Sequence, residues 1–399
     1  MPEAGSLKAA PLRKGRGRDG VESVGGVRYR NGQRKADMTW LRLWRREAPI
    51  LPLSRAPLPP RLDWGTLVLE IDLTALARVR SPILRLPPDP AARRIFTLEP
   101  LADGRLHLIR SLGNGISRIS VGLGRDPGSG ALRLSYHWDS RRRRSLLTAE
   151  NLTRGTIRQQ EAATALPLPA EDFAAFLAAA PGAPSPHPGV DWVGLADHWQ
   201  AVGPLPGLAP DTPIATPLGP RPVSALRPGD RVRTADDGDS EVLWQGRINA
   251  PAIGGFRPVR FHAACFGHGQ DIVLRAAQPV AIGGVDVQYL FGEDEVLVEA
   301  RHLVNGRSVT WEPGTPVAAS HGIVLDRPSL IRAGTIWVES LHLGGLARNP
   351  ALALTTAPGT LAETGRMPRH PVRARRQLRP FEAVALSRAR DAVRSTFAA

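Results

Sequence analysis

The sequence predicts an all-β chain built as two modules, and three observations carry that reading. Apolar and polar residues alternate with a period of two over several short runs, as half-buried strands require. Turn-forming Gly, Asn, Asp and Pro clusters separate those runs at roughly ten-residue spacing, the rhythm of short antiparallel strands. A proline-rich stretch at residues 181–190 divides the chain in the middle. The expected order is a basic N-terminal extension (1–57), a β-sandwich (58–168), a short helix with a linker (169–204), a second β domain (205–345) and a basic tail with a helix (346–399).

Residues 1–37 are basic, rich in Gly and poor in large apolar residues, so they read as disordered. They lack the apolar segment of a signal peptide. Met38 opens a better patterned stretch and is an alternative start. Trp40, Leu41, Leu43 and Trp44 with Arg42, Arg45 and Arg46 fit a short basic amphipathic turn.

In the first module, Leu67, Leu69, Ile71 and Leu73 share one face while Glu70 and Asp72 point the other way. Ile119, Val121 and Leu123 alternate with Arg118, Ser120 and Gly122, and Leu132, Leu134, Tyr136 and Trp138 alternate with Arg133, Ser135, His137 and Asp139. Residues 171–180 fit a short helix, with Phe173, Phe176 and Leu177 on one face. Glu171 and Asp172 lie at its positive end, and Pro181 stops it. Strand-like runs resume at 232–234, 242–244, 271–274, 285–291, 295–299, 323–325 and 336–341 with no helix between them. Helical spacing returns at 380–397, with Arg388, Arg390 and Arg394 on a solvated face.

Composition narrows the function. The 399 residues carry a formal charge of +15, from 52 Lys+Arg against 37 Asp+Glu. That charge sits at the ends and in the first module; residues 151–300 hold 10 basic groups against 17 acidic ones. A nucleic-acid footprint over a whole domain is therefore not expected, only weak binding through the basic termini. A single Cys excludes a disulfide framework and a Cys-rich zinc site. The scattered His show no ligand spacing, so neither metal nor cofactor is expected. No apolar run is long enough to span a membrane. The compartment stays open between cytoplasm and export without a classical signal.

The second module carries a resemblance. Ala209-Pro210-Asp211-Thr212-Pro213-Ile214-Ala215-Thr216, then Leu226-Arg227-Pro228-Gly229-Asp230-Arg231-Val232, resembles the opening of a Hint (Hedgehog/intein) domain of the bacterial, alphaproteobacterial-like branch. Val242-Leu243-Trp244-Gln245-Gly246-Arg247, Ala300-Arg301-His302-Leu303-Val304-Asn305-Gly306, Leu325-Asp326-Arg327 and Glu339-Ser340-Leu341 resemble later blocks in family order. The fold-defining positions on this reading are Thr212, Thr216, Gly229, Asp230, His302, Asn305, Gly306, Asp326 and Arg327. In Pro228-Gly229-Asp230 the glycine suits a turn that needs positive φ.

The resemblance implies an acyl shift: a Cys, Ser or Thr at the first position attacks its preceding carbonyl, and a His protonates the leaving amide nitrogen. Here the nucleophile position holds Gly207, and the His position holds Gln278. Glycine cannot attack, and an amide cannot deliver a proton near neutral pH. Two further His positions read Gly322 and Pro328, with His321 beside the first. The expectation is a degenerate domain without autoprocessing, acting as a structural or interaction module. The alternatives are self-cleavage by a rewired site, with His321 and Thr212 as fallback groups, and glycan or envelope binding through the sandwich. The first module is loosely similar to concanavalin and laminin-G sandwiches, with Tyr136-His137-Trp138-Asp139 on a strand. Partners are open between protein and glycan. Cys265, between small apolar residues, reads as a buried inert thiol. Glu293-Asp294-Glu295 reads as a solvated turn, and Arg141 to Arg144 as a solvated loop.

Overall fold

A computed structural model describes residues 39–397, apart from 47, 55–56, 125–127, 171, 174–184 and 268. The first module is a sandwich of a seven-stranded and a four-stranded antiparallel sheet. The large sheet runs in the order Thr156–Ala162, Arg144–Asn151, Ala131–Asp139, Trp64–Asp72, Val190–Ala196, Trp40–Arg45, Ala48–Pro52. The small one runs Leu84–Arg85, Ile95–Pro100, Arg105–Leu112, Gly115–Gly122. The alternation read from the sequence sets the core between them: Leu67, Leu69, Ile71, Leu132, Leu134, Tyr136 and Trp138 all lie in it.

Two expectations about this module change. Trp40–Arg45 is a strand of the large sheet and not an amphipathic turn, with Trp40 2% exposed. The extension therefore contributes to the fold from Trp40 on. Val190–Ala196, expected in the linker, is an inner strand between Trp64–Asp72 and Trp40–Arg45. Its run of Val190, Trp192, Val193, Leu195 and Ala196 is buried on both faces, so alternation could not reveal it. The helix expected at 171–180 and the start of the linker lie largely outside the described residues, although Phe173 is buried in the core.

The second module is built from short strands in several small sheets. A six-stranded sheet runs Gly219–Pro222, Pro213–Thr216, Leu330–Ala333, Ile336–Glu339, Pro279–Gly283, Glu295–Glu299. A long ribbon pairs Trp244–Pro251 with Val317–Val324, and a three-stranded sheet joins Ile272–Arg275, Pro258–Phe261 and Val309–Trp311. The run expected as a strand at 285–291 is instead the helix Val285–Phe291. Gly284 and Gly292 both take positive φ and bracket it, and Val287 and Phe291, one turn apart, pack toward the C-terminal helix Pro380–Phe397.

The basic tail folds back. Leu297 N donates to Arg376 O (2.8 Å) and Leu378 N to Leu297 O (2.9 Å), adding a segment to the sheet edge. Arg373 pairs with Glu339, Arg375 with Asp236 and Glu295, Arg376 with Glu382, and Arg390 with Asp286. Glu295 of the expected acidic turn is thus an ion-pair partner. Arg141, Arg142 and Arg144 pair with Asp63, Asp139 and Glu161. Cys265 is exposed, not buried, because it sits on the short outer helix Ala263–Phe266.

Candidate functional site at the Pro206–Gly207 junction

Residues 205–208 form a buried segment gripped from two sides. Arg275 Nη2 donates to Leu205 O and Arg275 N to Gly207 O, both at 2.7 Å. Leu208 and His321 exchange both backbone hydrogen bonds, at 2.9 and 2.6 Å. Pro206 lies against Gly322, where a Cβ would come within 3.1 Å of the proline Cα.

The two positions read as degenerate meet in space. A Cβ built on Gly207 would lie 3.1 Å from Gln278 Cβ and 3.2 Å from its Cδ, and would collide with Oε1. The Gln278 amide is itself committed: Nε2 donates to Glu339 O (2.9 Å) and Pro279 O (3.2 Å). Its side chain fills the space that a nucleophile's side chain would need. No Ser, Thr or Cys side chain is among the described hydrogen-bond partners of residues 205–208.

His321 is adjacent through backbone, but its ring is turned to another task. Gln245 Nε2 donates to His321 Nδ1 at 2.8 Å and also to Val223 O, which leaves the ring proton on Nε2. Burial, with Arg247 and Arg227 nearby, pushes the imidazole down to about 4, so it is neutral at pH 7. Thr212 bonds through its backbone to Ala209 and Val223. Its buried Oγ1 has no protein partner. None of its described bonds reaches Gly207, Gln278 or His321.

The remaining motif residues hold turns. Gly229 takes φ of +93°, and Asp230 accepts from Arg227 N and Arg221. Asn305 Oδ1 accepts from the amides of Arg307, Ser308 and Val309, with Gly306 at φ +74°. Thr216 Oγ1 donates to Gly219 O in the first hairpin. His302 is half-buried and 4.0 Å from Glu299. Asp326 and Arg327 are exposed.

Sequence reading missed Arg275, which is buried and lies 5.7 Å from the Phe256 ring centroid. Burial and then Arg133 pull its guanidinium down to about 9. Its only advance signal was a charged residue closing an otherwise apolar strand. Among the described residues no cluster of three or more His, Cys, Asp or Glu is placed to hold a metal. No described helix is long and apolar enough to cross a membrane. The strand aromatics Tyr136 and Trp138 are core residues, 2% and 1% exposed, and offer no face to a glycan.

Comparison with known proteins agrees with the motif blocks. Residues 206–345 match the Hint domain family. Among solved structures, the bacterial intein-like domain from Clostridium thermocellum is 14% identical; the match covers 34% of this chain and 99% of that one, with a TM-score of 0.25. The MchDnaB-1 intein is 18% identical over 33% of this chain and 98% of its own, with a TM-score of 0.23. A Ruminococcus gnavus sialidase carbohydrate-binding module (CBM40), solved with alpha2,6 sialyllactose, is 14% identical over 34% of this chain and 78% of its own, with a TM-score of 0.21. No curated protein matches the chain. Residues 206–345 of this all-β chain are a Hint domain, carried behind an N-terminal β-sandwich.

Proposed function

We propose that this Hint domain does not autoprocess and serves as a structural and interaction module for the sandwich. The observation that carries the reading is Gly207 packed against Gln278. The position that must attack has no side chain, and the position that must protonate holds an amide whose nitrogen is bound to Glu339 O. Arg275 reinforces this by binding the junction carbonyls on either side of Pro206 in a fixed extended path.

The purified chain should run on a denaturing gel as one band of 43 kDa and stay so on incubation with thiol or hydroxylamine. Fragments meeting at Pro206/Gly207 would overturn the reading. The gain-of-function test is the double variant Gly207→Cys with Gln278→His. Thiol-induced cleavage at that bond in the double variant, and none in either single variant, is the outcome expected of a scaffold that lost only its reacting groups.

A further inference from the structure

The large sheet has a second face, and it is polar and buried. Glu150, Arg133 and Glu70 face one another in register across three adjacent strands, with Trp192 next in line. All four are at most 5% exposed. Glu70 gathers donors from both modules: Arg133 Nη2 (2.6 Å) and Nε (3.1 Å) on Oε1, Trp192 Nε1 (3.0 Å) on Oε2, and Gly255 N on Oε2 at 3.1 Å. The last of these comes from the Hint domain.

The element that reaches Glu70 is shaped for it. Gly254 takes φ of +55°, and a Cβ there would collide with Glu70 Oε2 and lie 2.5 Å from Trp192 Nε1. A Cβ on Gly255 would lie 2.6 Å from Arg133 Nη2. Phe256 then lies under the Arg133 guanidinium at 3.9 Å and edge-on to Trp192 at 5.9 Å. Around this contact one apolar cluster spans both modules, with Trp40, Val68 and Ala196 on one side and Trp244, Ile248 and Val324 on the other. Trp40 Nε1 donates to Asn249 O at 2.9 Å.

The connector between the modules is fastened along its length. Thr66 Oγ1 accepts from Gln200 N, and His137 Nε2 meets Gln200 O at 2.8 Å. Glu150 accepts from Gly203 N (2.9 Å), Thr355 O from Val202 N (3.1 Å), and Leu205 O from Arg275.

We infer that this sheet face is a receptor for the Gly254-Gly255-Phe256 tip of the chain's own Hint domain, and that a chain cut in the connector stays together as a two-piece complex. Separation would take the Gly255 amide from the buried Glu70 and the Phe256 ring from Arg133, and return a shared apolar core to water. Cohesion between the two modules holds or fails independently of whether the junction can react.

The test inserts a protease recognition segment between Pro204 and Leu205 of the full chain. After cutting, native size exclusion should give one peak at the volume of the uncut chain, while a denaturing gel gives two bands. Two native peaks would overturn the inference. With Gly254→Val in the cut chain, the pieces should bind at least about a hundredfold more weakly; Phe256→Ala, which leaves the charges paired, should weaken them about tenfold or more. Unchanged affinity in both variants would remove the tip as the recognition element. Should the insertion disturb folding, hydrogen exchange on the uncut chain decides. The amides of Gly203 and Gly255 should exchange only as fast as the sandwich core, and loop-like exchange at both would overturn the inference.

Discussion

Gly207 and Gly254 are both glycines pressed against a polar side chain, and they are glycines for opposite reasons. At Gly207 the backbone does not take the left-handed conformation, and the neighbour is one uncharged glutamine side chain. At Gly254 the backbone is left-handed, and the neighbour is a carboxylate pinned by an arginine and an indole. On the proposed reading, the first site would accept a reacting group if Gln278 yielded. The second excludes any side chain twice over. Chemistry at the Hint junction is therefore open to substitution, whereas the contact between the modules is not.

Several substitutions sharpen or break that contrast. Glu70→Ala should have the largest effect, about 3–5 kcal/mol in chemical denaturation, because it leaves Arg133 buried without its partner. Gly254→Ala comes next. Its left-handed backbone alone adds about 1–2 kcal/mol, with the Glu70 clash on top. Gly207→Ala should cost about 1–3 kcal/mol by overpacking, and Gln278→Ala should recover most of that in the double variant. Rescue of most of the cost at Gly207, but at Gly254 relief by Glu70→Ala of the carboxylate clash alone, with the left-handed backbone and the Trp192 contact remaining, is the expected pattern; equal rescue at both would erase the distinction.

The pH dependence is smaller and has a defined sign. Burial pushes His137, His321 and His342 down to about 4. The unfolded chain takes up protons on them below about 6.5, the folded chain only near 4. Their stabilising contribution is present above pH 6.5 and lost as pH falls toward 4. Glu150 and Glu339, raised mainly by burial, act in the opposite sense above their ordinary range. Melting curves at pH 7 and pH 5 should show a smaller drop for His321→Gln than for the unaltered chain. The smallest effect belongs to the tail: Arg375→Ala, removing a part-exposed pair with Asp236 and Glu295, should change stability by about 1 kcal/mol or less.

The tail also shows why charge counting reached only so far. The nine basic groups in residues 351–399 suggested a free basic end. Arg373, Arg375, Arg376 and Arg390 instead neutralise carboxylates of the same chain. A nucleic-acid role through that end has correspondingly fewer free charges behind it.

Local pattern was enough wherever apolar residues held one face of a strand and polar residues the other. Leu67 to Ile71 and Leu132 to Trp138 declared the sandwich because alternation is a property of neighbouring residues. It failed for Val190–Ala196, apolar on both faces, and for Val285–Phe291, where flanking glycines and packing against a distant helix outweighed strand-like composition. The motif blocks led to Gly207 and Gln278 as paired positions 71 residues apart, and the fold brings the two side by side.

The sequence by itself determined the all-β class and the Hint domain, since each is written in local alternation or in an ordered set of short blocks. Only the tertiary structure decided that Glu70, read as a solvent-facing strand charge, lies between two modules, and that Arg275 grips the junction. A buried charge is recognisable by the partners that make its burial tolerable, and those partners, Gly255 and Trp192 for Glu70 and Leu205 for Arg275, come from remote parts of the chain.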